Sequence, residues 1–147
     1  MTSVGIAGPG DIDLLLTLMR EYYTFEHLDF DEAQARRNAT ALLADASLRR
    51  AWLFRDEGGP VGYGVLAIGF GLEFGKDAFL DELYVREHAR GRGLGKLAMQ
   101  TIEAEAHAMG VKAIHLQVDP ENEPAQALYR RSGFEPLNRL TLTKRLS

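Results

Sequence analysis

Seven residues between an apolar run and a helical pattern could do chemistry: Arg90-Gly91-Arg92-Gly93-Leu94-Gly95-Lys96. Glycines there let backbone N–H groups come close to a ligand. A helix opening just after them offers unpaired first-turn donors and about half a positive charge to an anion. Arg90, Arg92 and Lys96 add cations that suit phosphate. The run is not a P-loop. Arg90 stands where that motif needs its first Gly, and Leu97 follows Lys96 where a magnesium-binding Ser or Thr belongs. A dinucleotide fingerprint fits better, since Gly93-Leu94-Gly95-Lys96-Leu97-Ala98 reads G-x-G-x-x-A and Asp119 follows 24 residues beyond Gly95. Against it, the approach from the preceding strand is long, and only 28 residues remain after Asp119.

Other chemistries are bounded by what is missing. The chain has no cysteine, so thiolate catalysis, disulfides and cysteine-held metal are excluded. Histidines 27, 88, 107 and 115 form no metal or triad pattern. His107 falls in a helical stretch and His115 in a strand, with no acid at a useful spacing. With 147 residues the chain predicts a single domain, 1–147. Its net charge of −4 supplies no field for nucleic acid. No run approaches the 18 apolar residues of a membrane span, and the N-terminus lacks an export pattern, so a cytoplasmic location is expected.

The elements around the glycine run follow from periodicity. Residues 2–7 predict a short strand, and Asp11 a cap for a helix with Ile12, Leu15, Leu16, Met19, Tyr22 and Tyr23 on one side. Asp31 with Gln34 resembles a capping box opening a second helix, whose apolar face is Ala35, Ala39, Leu42 and Leu43. Strands are predicted over 50–55, 61–70 and 78–85, with Glu57-Gly58-Gly59-Pro60 turning the first into the second. Residues 86–92 read as a loop, then Leu94 to Ala108 as a helix closed by Gly110. A strand over 111–118, a short helix over 124–132 and a last strand carrying Leu140 and Leu142 complete the order βααβββαβαβ. That is a mixed α/β sheet with one parallel β–α–β crossover.

Two segments at this separation resemble the GNAT family of N-acetyltransferases. Arg90-Gly91-Arg92-Gly93-Leu94-Gly95 satisfies the family's pyrophosphate motif, Gln/Arg-x-x-Gly-x-Gly/Ala. Asn122-Glu123-Pro124-Ala125-Gln126-Ala127-Leu128-Tyr129-Arg130-Arg131-Ser132-Gly133-Phe134 is similar to its last motif. The likeness runs from Ala78 to Phe134. The Leu80-Asp81-Glu82-Leu83-Tyr84-Val85 strand is closest to that of small-amine and polyamine acetyltransferases.

The resemblance implies an acyl-CoA N-acyltransferase fold with the sheet splayed between strands 78–85 and 111–118, a bulge separating the two. It also implies transfer of the acetyl group of acetyl-CoA directly to a primary amine of a small molecule or peptide, without a metal. The cofactor arm would pair with main chain near Leu83, Tyr84 and Val85. The loop residues Arg90, Gly91, Arg92, Gly93, Leu94, Gly95 and Lys96 would hold its pyrophosphate, and Asn122 and Tyr129 would contact the arm. A lysine-like amine near pKa 10.4 needs about 4–5 kcal/mol to be presented neutral at pH 7. Asp81 and Glu82 are the candidate bases, and strand alternation directs them to opposite faces. Tyr129 would protonate the departing thiolate. Tyr23, Glu26, His27 and Glu73 are the candidate acceptor contacts. The family often dimerises, and an edge strand at Leu140–Leu142 would serve that. A non-catalytic acyl-CoA sensor and a dinucleotide-binding protein are the alternatives.

Overall fold

Leu15, Leu16 and Leu18 bury one stripe of the helix α1 (Ile12–Phe25), and the shorter α2 (Glu32–Leu43) buries Ala35 and Ala39. The expected start of α2 is present, since the Asp31 side chain accepts from the Gln34 N–H at 3.1 Å. Asp11 works differently. Its carboxylate accepts from the N–H of Gly8 at 2.9 Å and closes a 3-10 turn, Pro9–Asp11, ahead of α1.

The computed structural model describes residues 1–147, which form two compact units, Met1–Gln117 and Val118–Ser147. The first unit holds five strands: β1 (Ser3–Ile6), β2 (Arg49–Asp56), β3 (Gly59–Gly71), β4 (Gly75–Val85) and β5 (Ala113–Leu116). They lie in the order β1-β2-β3-β4-β5, antiparallel except for the parallel β4–β5 pair. The β4–β5 crossover contains α3 (Leu94–Ala108), which ends at Gly110 with φ of +85°.

Alternation along the strands divides the core between two faces. Leu53, Tyr63, Val65 and Tyr84 pack with Leu15, Leu18 and Ala39 of α1 and α2. On the other face lie Trp52 and Phe54 with α3. Trp52 Nε1 donates to Glu105 Oε2 at 2.8 Å, and Ile102 comes up against Gly64. Trp52, Phe54, Tyr63 and Leu66 are fully sealed from solvent. Each such side chain contributes on the order of 1.5–3 kcal/mol of hydrophobic stabilisation.

The second unit contains α4 (Glu123–Arg131), capped by Asn122 Oδ1 accepting from the Ala125 N–H at 3.2 Å. Residues 134–147 hold no strand, so the expected last element is not formed. Leu140 and Leu142 are 90% and 87% exposed. An alternating pattern becomes a strand only where another edge takes its ladder bonds and one face is buried. The edge strand expected to support a dimer is therefore absent. β5 is also shorter than the predicted 111–118, because its pairing with β4 stops at Leu116.

Candidate active site

The last residues of β4 turn an unpaired edge outward. Arg86 N donates to Val61 O at 2.7 Å, beside the Gly62–Val85 pair in the β3–β4 ladder. In an antiparallel ladder, successive residues direct their N–H and C=O groups to alternate sides. Tyr84 therefore faces Tyr63, while Leu83 and Val85 direct theirs to the far edge. β5 pairs with that edge only from Asp77 to Leu80. Beyond Leu80 the main chain of β4 is open to an added extended segment, save for the Val85 carbonyl, which accepts from Arg90 Nε.

The bulge lies on the other side of β4 from the one expected. Glu82 pairs with Val65 and Leu80 with Leu66, which leaves Asp81 as the extra residue against β3. Simple alternation therefore does not separate Asp81 from Glu82. The Asp81 charge acts on both Glu82 and Tyr23. Asp81 lies at the surface, and partial desolvation pushes its carboxyl upward.

Glu82 is the hub of this face. Tyr23 of α1 donates to its Oε2 at 2.5 Å, and Tyr63 of β3 donates to its Oε1 at 2.6 Å. Burial pushes the Glu82 carboxyl above its ordinary range. The two hydroxyls oppose that shift, and Asp81 adds to it. Both phenols are raised as well, chiefly by burial and then by Glu82, through its hydrogen bond and its charge. Tyr22 packs edge-on against Tyr23 and Tyr63, with ring centroids 5.8 and 6.3 Å apart, and Phe30 lies 5.5 Å from Tyr23. One step along β4, Tyr84 donates to Glu21 Oε1 at 3.2 Å, and Arg86 grips Glu21 through two bonds of 2.8 and 2.6 Å. Arg86 holds the Glu21 carboxyl below its usual range. An open cleft of about 570 Å³ lies against Glu21, Tyr84, Arg86, Glu87 and His88.

The glycine run joins this edge to α3. Gly91 and Gly93 have φ of +78° and +77°, a conformation that favours glycine, and nothing lies within 4 Å of a Cβ built on either. Gly93 is the N-cap and has no side chain to satisfy the first-turn donors of α3. The loop therefore suits an anion held by backbone N–H groups. Its side chains are less available than the sequence implied. Leu94 is buried, and Arg92 leans toward Asp56 at 4.0 Å. Arg90 folds back, donating from Nε to Val85 O at 2.8 Å with its guanidinium 4.9 Å from the centre of the Phe25 ring. Lys96 is exposed.

The acceptor candidates do not all gather here. Tyr23 is in the hub, while Glu26 caps the end of α1 and His27 follows it with a φ of +57°. Glu73 lies in the β3–β4 turn. Gly75, at the start of β4, is seven residues from Glu82, about 23 Å along the strand. Near that remote end His115 Nε2 lies 3.3 Å from Asp77 Oδ2, so His115 does have an acid partner, on the neighbouring strand. In the second unit Tyr129 packs edge-on against Phe134 at 5.8 Å, and Asn122 is engaged as a helix cap.

Tyr63, Glu21 and Arg86 are site residues that the sequence did not single out. The available signal was Gly62-Tyr63-Gly64, a bulky phenol between two glycines on a strand next to the one bearing Glu82.

Comparisons with known proteins agree with this geometry. A family model described as the acetyltransferase (GNAT) family matches residues 12–134. Thialysine N-epsilon-acetyltransferase of Bos taurus is 27% identical over 143 residues, 89% of this chain and 82% of the relative. The uncharacterized N-acetyltransferase YdgE of Bacillus subtilis is 36% identical over 63 residues, 43% of this chain. That match spans 40% of the relative's own length. Among solved structures, an integron cassette protein from a salt-marsh metagenome superposes with a TM-score of 0.88 at 35% identity, covering 98% of this chain and 90% of the other. An aminoglycoside N-acetyltransferase in complex with CoA has the same fold, with a TM-score of 0.85 at 14% identity, covering 100% and 96%. No helix is long and apolar enough to cross a membrane. With most of its length matched by the family model, and with the motif, the sheet and the opened strand in place, the chain belongs to the GNAT acetyltransferase family.

Proposed function

We propose that this chain transfers the acetyl group of acetyl-CoA to a primary amine by direct attack. The observation that carries the reading is the open edge of β4 at Leu83 and the Val85 N–H, followed after one 3-10 turn, Glu87–Ala89, by a glycine loop and an uncapped helix start. An arm bearing amides pairs with such an edge, and its pyrophosphate meets the N–H groups beyond it. Glu82 lies on the same strand, with a carboxyl raised by burial. That brings the carboxylate closer in basicity to the amine it has to deprotonate.

The amine nitrogen forms a bond to the thioester carbonyl carbon, and the carbon–sulfur bond then breaks. The ammonium gives its first proton to Glu82, and the nitrogen sheds its second as the amide forms, which makes good the proton that Tyr129 gives to the departing thiolate, a role assigned by the family likeness of its segment. Asp81 keeps the entrance negative, which favours a cationic acceptor. Likeness to the thialysine enzyme over most of both chains supports a small aliphatic amine as the acceptor class.

The test is the thermal unfolding midpoint with acetyl-CoA, with NAD as the control. A ligand at 100 times its dissociation constant stabilises the fold by about 2.7 kcal/mol, several degrees for a chain of this size. A rise with acetyl-CoA alone supports the reading. A rise with NAD alone transfers the glycine loop to a dinucleotide, and no rise with either removes the proposed cofactor.

A further inference from the structure

Glu82 is bound by two phenols that differ in one respect. Tyr63 is fully buried, and its hydroxyl closes off Oε1 from inside the sheet. Tyr23 is only partly buried, on the last turn and a half of α1, and its hydroxyl occupies Oε2. Each carboxylate oxygen thus already has a donor. An acceptor amine arriving from solvent meets the Tyr23 side of the pair first.

We infer that Tyr23 is the proton relay between the acceptor amine and Glu82, so that the amine contacts a phenol rather than the carboxylate. This deepens the acetyltransferase reading and rests on it. In the relay the ammonium N–H gives its proton to the Tyr23 oxygen as the Tyr23 O–H proton moves to Glu82 Oε2. The products are a neutral amine, an unchanged phenol and a protonated Glu82. No phenolate forms, in keeping with the upward displacement of the Tyr23 hydroxyl by burial and by Glu82. The Tyr22 and Phe30 rings packed edge-on against Tyr23 hold it in line with the carboxylate. The charged and titratable groups facing the Glu82–Tyr23 pair are Tyr63 from β3, Asp81 from β4 and Tyr22 from α1.

The relay separates two variants that each remove one hydroxyl from Glu82. Released CoA is followed with acetyl-CoA and a panel of primary amines that includes thialysine and n-butylamine, using the amine turned over fastest. Acetyl-CoA affinity is measured by calorimetry. Y23F is expected to lower the pH-independent plateau of kcat/KM for the amine by about tenfold to a hundredfold, with acetyl-CoA affinity retained. Y63F is expected to displace the acidic limb of the profile upward, because Glu82 loses a bond that favours its charged form. A Y23F plateau within about threefold of the parent overturns the relay and leaves the acetyltransferase reading intact. Equal plateau losses in Y23F and Y63F also overturn it, since both phenols would then only tune the carboxylate. Absence of acetyl-CoA binding, or of turnover with every amine in the panel, removes the acetyltransferase reading and the relay together.

Discussion

A Cβ placed on Gly62 would stand 2.2 Å from the carbonyl oxygen of Tyr84 and 2.8 Å from Cδ2 of Phe54. The two strands meet here with no room for a side chain, just where β4 presents its open edge on the other side. Backbone cannot retreat as a flexible side chain can, so G62A is expected to cost about 3 kcal/mol. Chemical denaturation checks this, and a loss under about 1 kcal/mol would show that the strands separate easily.

Arg90 sits in the cofactor motif yet spends its Nε on Val85 and its guanidinium on Phe25. Its contribution to acetyl-CoA binding is therefore to hold the loop, and a charge-assisted bond at an exposed site is worth about 1 kcal/mol. R90A should raise the acetyl-CoA dissociation constant about fivefold by calorimetry. A loss beyond about a hundredfold would mean that the guanidinium leaves Val85 to meet phosphate directly.

Removing the Glu82 charge should separate activity from stability. E82Q is expected to lower kcat by about a hundredfold or more and to abolish the acidic limb of the rate profile. With the parent, the rate should rise as pH rises through the elevated Glu82 value, because the base must be ionised. The sign for stability is opposite. A carboxyl raised in the folded state costs stability as pH climbs from its unfolded to its folded value. E82Q should then be at least as stable as the parent at pH 7, read by thermal unfolding.

Glu21 titrates the other way. Arg86 holds its carboxyl down, so the pair stabilises the fold above the ordinary glutamate range and that support is lost as pH falls through the lowered value. The two side chains are 35% and 29% exposed, which reduces the contribution to about 1 kcal/mol. E21Q should lower the unfolding midpoint by about 3 °C at pH 7, and the gap from the parent should close in strong acid.

Tyr129 tests the leaving-group step. Y129F is expected to lower turnover at least about tenfold while acetyl-CoA affinity barely changes. Equal loss of both, or of neither, would count against its role as the acid.

Much of this frame was legible because it rests on local rules. Asp31 before Gln34, Gly110 after a helical stripe and Arg90 to Gly95 between a strand and a helix each act within a few residues. What could not be read depends on register. Asp81 carries no mark of a bulge, since neither Gly nor Pro flags it, and only the pairing of Glu82 with Val65 shows that it is the extra residue. The Asp77–His115 pair and the Tyr63–Glu82 bond join residues on neighbouring strands, whose alignment no spacing within one strand can give. Leu140 and Leu142 alternate correctly, but alternation does not supply the edge that a strand requires.

The half-open strand also divides the amides of β4 by how fast they can exchange with deuterium. The Tyr84 N–H is held in the β3 ladder, whereas those of Leu83 and Val85 point to an edge that β5 leaves at Leu80. Three consecutive residues of one strand thus carry a built-in slow reference between two fast reporters. Of the β4 amides, those of Leu83 and Val85 should record any molecule that occupies the gap, without a label and without turnover.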